Sequence, residues 1–121
     1  MKEVRRDLAE RTFAFGVQVV TLCQTLDRRE PTSRILASQL LRSGTSVGAN
    51  VEEAQASQSR ADFLSKCSIA CKEARETHYW LRLMSATGVM SAAGVGTLLD
   101  ECNQLIAILT TIVKKVRSNK E

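Results

Sequence analysis

Residues 39–63 read QLLRSGTSVGANVEEAQASQSRADF. Two glycines stand four apart, and paired acids and an arginine follow. Such a stretch is either a loop that cradles a phosphate or a helix shaped to touch another helix closely. At about 100° per residue, Leu36, Leu40, Gly44, Val47, Val51 and Ala54 share one face. The glycines therefore continue an apolar helical stripe. A phosphate loop would follow a strand and carry a Lys-Ser/Thr pair, and this stretch has neither. Gly44 and Gly48 each cost a helix about 1 kcal/mol relative to Ala. Close approach of a neighbouring backbone is the expected compensation.

Helical spacing recurs along the whole chain. Segment one is expected over residues 4–27, with Val4, Leu8, Phe15, Val19, Leu22 and Leu26 on one face. "DRREP" ends it, and Pro31 suits the first turn of the next helix, where its missing N–H costs nothing. Segment two is expected over 32–56. Ser59 and Asp62 then form an S-x-x-D capping box that opens segment three, over 60–87. Gly88 is a natural stop. Ser91 caps segment four, over 92–117, where Leu98, Cys102, Leu105, Leu109, Ile112, Val113 and Val116 make the apolar stripe. Four such helices with short connections predict an all-α, up-down-up-down antiparallel four-helix bundle filling a single domain, residues 1–121.

Composition agrees. The chain has 121 residues, 44% hydrophobic and 25% charged, with one proline and five aromatic residues. That is enough chain to bury a core, and too few turn residues and aromatics for a sandwich or barrel. Net charge is +4, which permits contact with nucleic acid without requiring it. The amino-terminal residues mix acids with bases and lack an apolar signal core. The longest uncharged run, residues 83–99, holds three glycines and reads as a helix end and loop rather than a membrane span. Cys23, Cys67, Cys71 and Cys102 form no C-x-x-C pair. The expectation is a cytoplasmic protein with reduced, buried thiols, and no membrane partner.

Cys67, Cys71 and His78 share a face of segment three. Cys71 and His78 are about 10 Å apart along the axis, too far for one tetrahedral ion with bonds of about 2.0–2.3 Å. Small core residues are the expected reading, with no metal. A di-iron carboxylate centre needs two E-x-x-H motifs, and this chain has one histidine and no such motif. Glu52 and Glu53 are adjacent and point to different helix faces. No constellation suits a nucleophile or a general acid/base pair. The chain is expected to be non-enzymatic and without a cofactor.

Three surfaces stand out instead. Segment three has a second, partly apolar face, Ile69, Trp80, Leu83 and Met84 with Glu73 and Glu76 between, which is either a wide core stripe or, the favoured expectation, a subunit interface. Arg42, Ser46, Asn50 and Glu53 form a polar stripe on segment two, either suited to interhelical hydrogen bonds and an ion pair or simply solvated. The bundle topology gathers Lys2, Arg5, Arg6, Arg60, Lys114, Lys115, Arg117 and Lys120 at one end, with Glu3, Asp7, Asp62 and Glu121 diluting them. Those cations either contact nucleic acid or complement helix C-termini.

The residues "QLLRSGTSVGANVEEA", "QSRADF" and "KEARETHYWLRL" resemble the family of 23S ribosomal RNA intervening-sequence proteins. Its second helix typically reads Q-L-x-R-x-x-x-S-x-x-x-N-x-x-E, matched by Gln39, Leu40, Arg42, Ser46, Asn50 and Glu53. Arg60, Asp62 and Phe63 match the turn and acidic-aromatic step that follow. Glu53-Ala54 stands where many relatives carry Glu-Gly. The resemblance implies a left-handed up-down bundle that self-assembles, as family members do in pentameric rings. Relatives include the accessory variability determinant proteins of diversity-generating retroelements, which bind a reverse transcriptase and nucleic acid. Two functions follow as expectations: an oligomer binding RNA, DNA or a nucleoprotein through its basic end, or a structural adaptor for a protein partner.

Overall fold

The computed structural model describes residues 2–119, with side chains from residue 6 onward. Four helices follow one another: α1 (Lys2–Gln24), α2 (Pro31–Gln55), α3 (Arg60–Ala86) and α4 (Ala92–Ser118). Consecutive helices pack against each other, α2 and α3 most extensively, while α1 and α4 meet least. The result is the expected all-α up-down-up-down bundle.

Local chemistry sets the boundaries. Ser59 Oγ accepts from the Asp62 amide at 3.0 Å, and Ser91 Oγ from Gly94 at 3.2 Å. Gly88 adopts φ +78°, a left-handed conformation that favours glycine. Its amide donates to the Ser85 carbonyl and the Met90 amide to that of Met84, closing α3. Pro31 is the first residue of α2. The cap before it is Glu30, whose carboxylate accepts from the Ser33 amide at 2.7 Å. α1 stops at Gln24, three residues before its expected end. The amides of Thr25 and Leu26 turn back to the carbonyls of Leu22 and Cys23, and the Thr25 hydroxyl also donates to Leu22.

All four helices feed the core. Phe15, Val19, Leu40, Val47, Leu81, Met84, Val95, Leu105 and Leu109 are essentially inaccessible. A smaller cluster of Ala54, Phe63, Cys67 and Val113 closes the end where α3 begins. The buried hydroxyls find partners, as burial requires. Thr12 donates to the carbonyls of Leu8 and Ala9. Thr77 donates to Glu73 at 2.7 Å and lies 3.0 Å from Ser43 Oγ, linking α3 to α2.

Gly48 of α2 meets a neighbouring backbone, as expected, whereas Gly44 meets a side chain. A Cβ on Gly48 would stand 3.0 Å from the Thr12 carbonyl oxygen and 3.2 Å from its carbon. One on Gly44 would stand 2.8 Å from Val19 Cγ1. α1 therefore lies directly on the bare backbone of α2. Where α1 and α4 are less close, Arg11 spans the gap. Its guanidinium holds Glu101 in a fork, at 3.1 and 2.7 Å, and also reaches Gln104 at 3.1 Å.

Candidate nucleic-acid interface

The start of α3 and the end of α4 converge on one end of the bundle. Arg60 Nη2 donates to the Val116 carbonyl at 2.8 Å, fastening the two together. An open depression there is lined by Gln58, Ser59, Arg60, Phe63, Lys115 and Asn119, among others. Lys114, Lys115 and Arg117 are exposed around it, and Arg6 is exposed near the start of α1, at the same end. The first turn of α3 adds the positive end of its dipole. The side chains of Lys2 and Arg5, and all of Lys120, lie outside the described residues. Asp62 sits in the first turn of α3, where a carboxylate complements the dipole.

The polar stripe on α2 is a clamp onto α3. Arg42 bonds Glu73 at 3.2 Å and also bonds Glu76. Glu76 in turn accepts from the Trp80 indole at 2.9 Å. Arg42 and the indole hold the Glu76 carboxyl below its usual range, and Glu76 raises the Arg42 pKa. Further along the same seam, Glu53 pairs with Lys66 at 2.7 Å. Between them, Asn50 donates to the Ser46 carbonyl of its own helix at 2.9 Å.

This clamp changes the reading of the second face of α3. Met84 is fully buried within the chain, so its expected place on a subunit interface is corrected. It lies on the side of α3 that turns into the core beside α2. Glu73, Glu76 and Trp80 face the α2 seam and are engaged there, leaving Ile69, 38% exposed, and half-buried Leu83 at its rim.

A different apolar surface emerges from the structure. Phe13 is 67% exposed and Val17 50%. With Val20, Gly16, Thr45 and Ala49 they line an open groove between α1 and α2. Phe13, Val17 and Val20 are spaced four and three apart, a second helical stripe beside that of Phe15 and Val19. That spacing is the one signal of it in the sequence.

Cys67 is buried and Cys71 half-buried, its sulfur 3.4 Å from Thr110 Oγ1. His78 is half-buried, and burial and nearby Arg82 lower its pKa. Burial pushes the Cys102 thiol up to about 12. Among the described residues no group of three His, Cys, Asp or Glu is placed to hold a metal ion. No helix among them is long and apolar enough to cross a membrane.

The family model for 23S rRNA-intervening sequence proteins matches residues 6–111. A crystal structure of a Bacteroides thetaiotaomicron VPI-5482 protein of unknown function, from the S23 ribosomal protein family, is similar with a TM-score of 0.84. The two sequences are 36% identical over 92% of this chain and 98% of that one. No functionally curated protein matches. With a family match over residues 6–111 and the same bundle in so similar a relative, the chain belongs to the 23S rRNA-intervening sequence protein family.

Proposed function

We propose that this protein is a non-catalytic, self-assembling bundle that binds nucleic acid through its basic end. The observation carrying this reading is the convergence of Arg60, Lys114, Lys115 and Arg117 where α3 begins and α4 ends. Self-assembly multiplies such a patch, so weak phosphate contacts on each copy add up. The apolar α1/α2 groove supports a contact between copies, with Phe13 as the anchor. The family resemblance suggests a ring of five.

Fluorescence anisotropy with structured RNA and duplex DNA, across several salt concentrations, tests this reading. The expected result is binding that weakens steeply with salt, and weakens further when Arg6, Lys114 and Lys115 become Gln together. Binding indifferent to salt would remove the basic end from consideration.

The same groove also suits the apolar face of a partner helix. A chain that sediments as a monomer and captures one protein after nuclease treatment would favour that adaptor reading.

A further inference from the structure

The outward face of α3 is cationic over residues 72–82, in the second half of the helix. Lys72, Arg75 and Arg82 are exposed there at offsets of three and seven, with half-exposed Tyr79 between the two arginines. At 1.5 Å per residue the three cations span about 15 Å. α3 carries three acids, Asp62, Glu73 and Glu76. Glu76 borders this stretch, one turn from Lys72 and from Tyr79, and its charge is taken up by Arg42. Asp62 is in the first turn, and Arg42 holds both glutamates on the α2 side. Over residues 72–82 the clamp between α2 and α3 thus sorts charge: Arg42 takes up both acids, and the three cations stay exposed.

α4 extends the surface. Arg75 Nη2 lies 3.4 Å from Thr110 Oγ1, which also meets Cys71, so this side of α4 abuts the cationic face of α3. Lys114 is one turn beyond Thr110 and Arg117 follows, both exposed. None of these five cations makes an ion pair among the described residues. The opposite side of the bundle, α1 with α2, presents Phe13, Val17 and the acids Glu10 and Glu52.

We infer that the α3/α4 face, with Lys72, Arg75 and Arg82 as contacts and Tyr79 as a stacking platform, is a track for the phosphodiester backbone of an RNA. The basic end is its terminus rather than the whole site. Charge complementarity carries the assignment. A strand in a duplex presents a phosphate about every 3.4 Å of axis, so about 15 Å offers several phosphates to three cations. An exposed aromatic ring among cations is the arrangement that holds an unpaired base. The inference rests on the proposed nucleic-acid binding and adds the surface that performs it.

The test is a salt titration of anisotropy with a fluorescent RNA hairpin carrying a single-stranded tail. It compares wild type, a Lys72→Gln/Arg75→Gln/Arg82→Gln variant, and an Arg28→Gln/Arg29→Gln control that removes charge from the far turn. Circular dichroism verifies that each keeps its helix content. The triple variant is expected to lose about 2–3 from the slope of log affinity against log salt, since each phosphate contact contributes about 0.7–0.9. Tyr79→Ala is expected to weaken binding to the tail about tenfold or more, as stacking is worth about 1–3 kcal/mol per base. The control should follow wild type. Wild-type binding with a steep slope that the triple variant shares would overturn this inference while leaving the proposed function standing. No wild-type binding at low salt would overturn both. Equal binding of poly-glutamate, lost equally in the triple variant, would assign the face to an acidic protein and also overturn it.

Discussion

The outer sides of α1 and α3 share one scaffold and differ in chemistry. Each helix buries one stripe in the common core. On its free side α1 shows Phe13 and Val17, whereas α3 shows Lys72, Arg75, Tyr79 and Arg82. The two surfaces respond to opposite forces. Apolar contact is indifferent to moderate salt or strengthened by it. Phosphate contact is screened and displaced by salt. On the proposed function, a bundle with one face of each kind would hold its own copies together and still release a nucleic acid when salt rises. The pairing of Arg42 with Glu73 and Glu76 keeps the second face cationic, so the motif of α2 acts on a surface it does not touch.

The largest effect is expected on the α1 side. Burying a side chain such as Phe or Val contributes about 1.5–3 kcal/mol. Phe13→Asp with Val17→Asp should weaken self-association at least about 100-fold, with helix content unchanged, as read by sedimentation velocity against dilution. An assembly of unaltered mass would move the contact to another face. The rim of Ile69 and Leu83 would then be the next place to look.

Next is the seam that positions α1. Gly48→Ala presses a methyl on the Thr12 carbonyl, a backbone group with little room to move. Overpacking of about 1–3 kcal/mol outweighs a helix-propensity gain of about 1 kcal/mol. Thermal melts should show net destabilisation at Gly48, and also at Gly44, where buried Val19 is the obstacle. A methyl added at Gly96, in α4 and outside the α1/α2 groove, meets no atom within 4 Å, so Gly96→Ala should be neutral or stabilising and serves as the control.

A smaller effect is expected at the clamp. The Glu76 carboxyl titrates below its unfolded value, held there first by Arg42 and then by Trp80. Between those two values the unfolded chain binds more protons. The stabilisation is therefore complete above the ordinary carboxylate range and is lost as pH falls through the depressed folded value. Arg42→Ala should flatten the acid limb of melting temperature against pH. It should also lower RNA affinity modestly, because Glu73 and Glu76 lose the cation that holds them in the seam. An acid limb identical to wild type would mean the pair is merely solvated.

The smallest effect concerns the thiols. Cys23, Cys67 and Cys102 are buried, and burial holds the Cys102 thiol at about 12. Native protein should react with a thiol reagent at Cys71 first and at the other three only on unfolding, as peptide mapping would show.

Much of the fold is legible in the sequence because its determinants are local. Pro31, Ser59, Gly88 and Ser91 mark helix ends by backbone chemistry that needs no partner, and each acts where its spacing indicates. The close approach at Gly44 and Gly48 is legible because glycine on an apolar stripe has few other uses. The Glu30 cap is less visible, since Glu is not among the preferred capping residues. Surfaces are harder to read. Met84 lies at the edge of two stripes on α3, and only the position of α2 determines which stripe is buried. The Phe13–Val17 stripe is hidden in the sequence because Phe15 and Val19 already explain α1. The α3 cations stand among Glu73 and Glu76 in sequence, and their separation appears only once Arg42 is seen holding both acids.

The most direct test of a bundle with two unlike faces is sedimentation velocity of the protein with a fluorescent RNA hairpin, at low and high salt in one experiment. At high salt the RNA should be released while the protein still sediments as the same oligomer. Loss of the oligomer together with the RNA, or a monomer under both conditions, would contradict it.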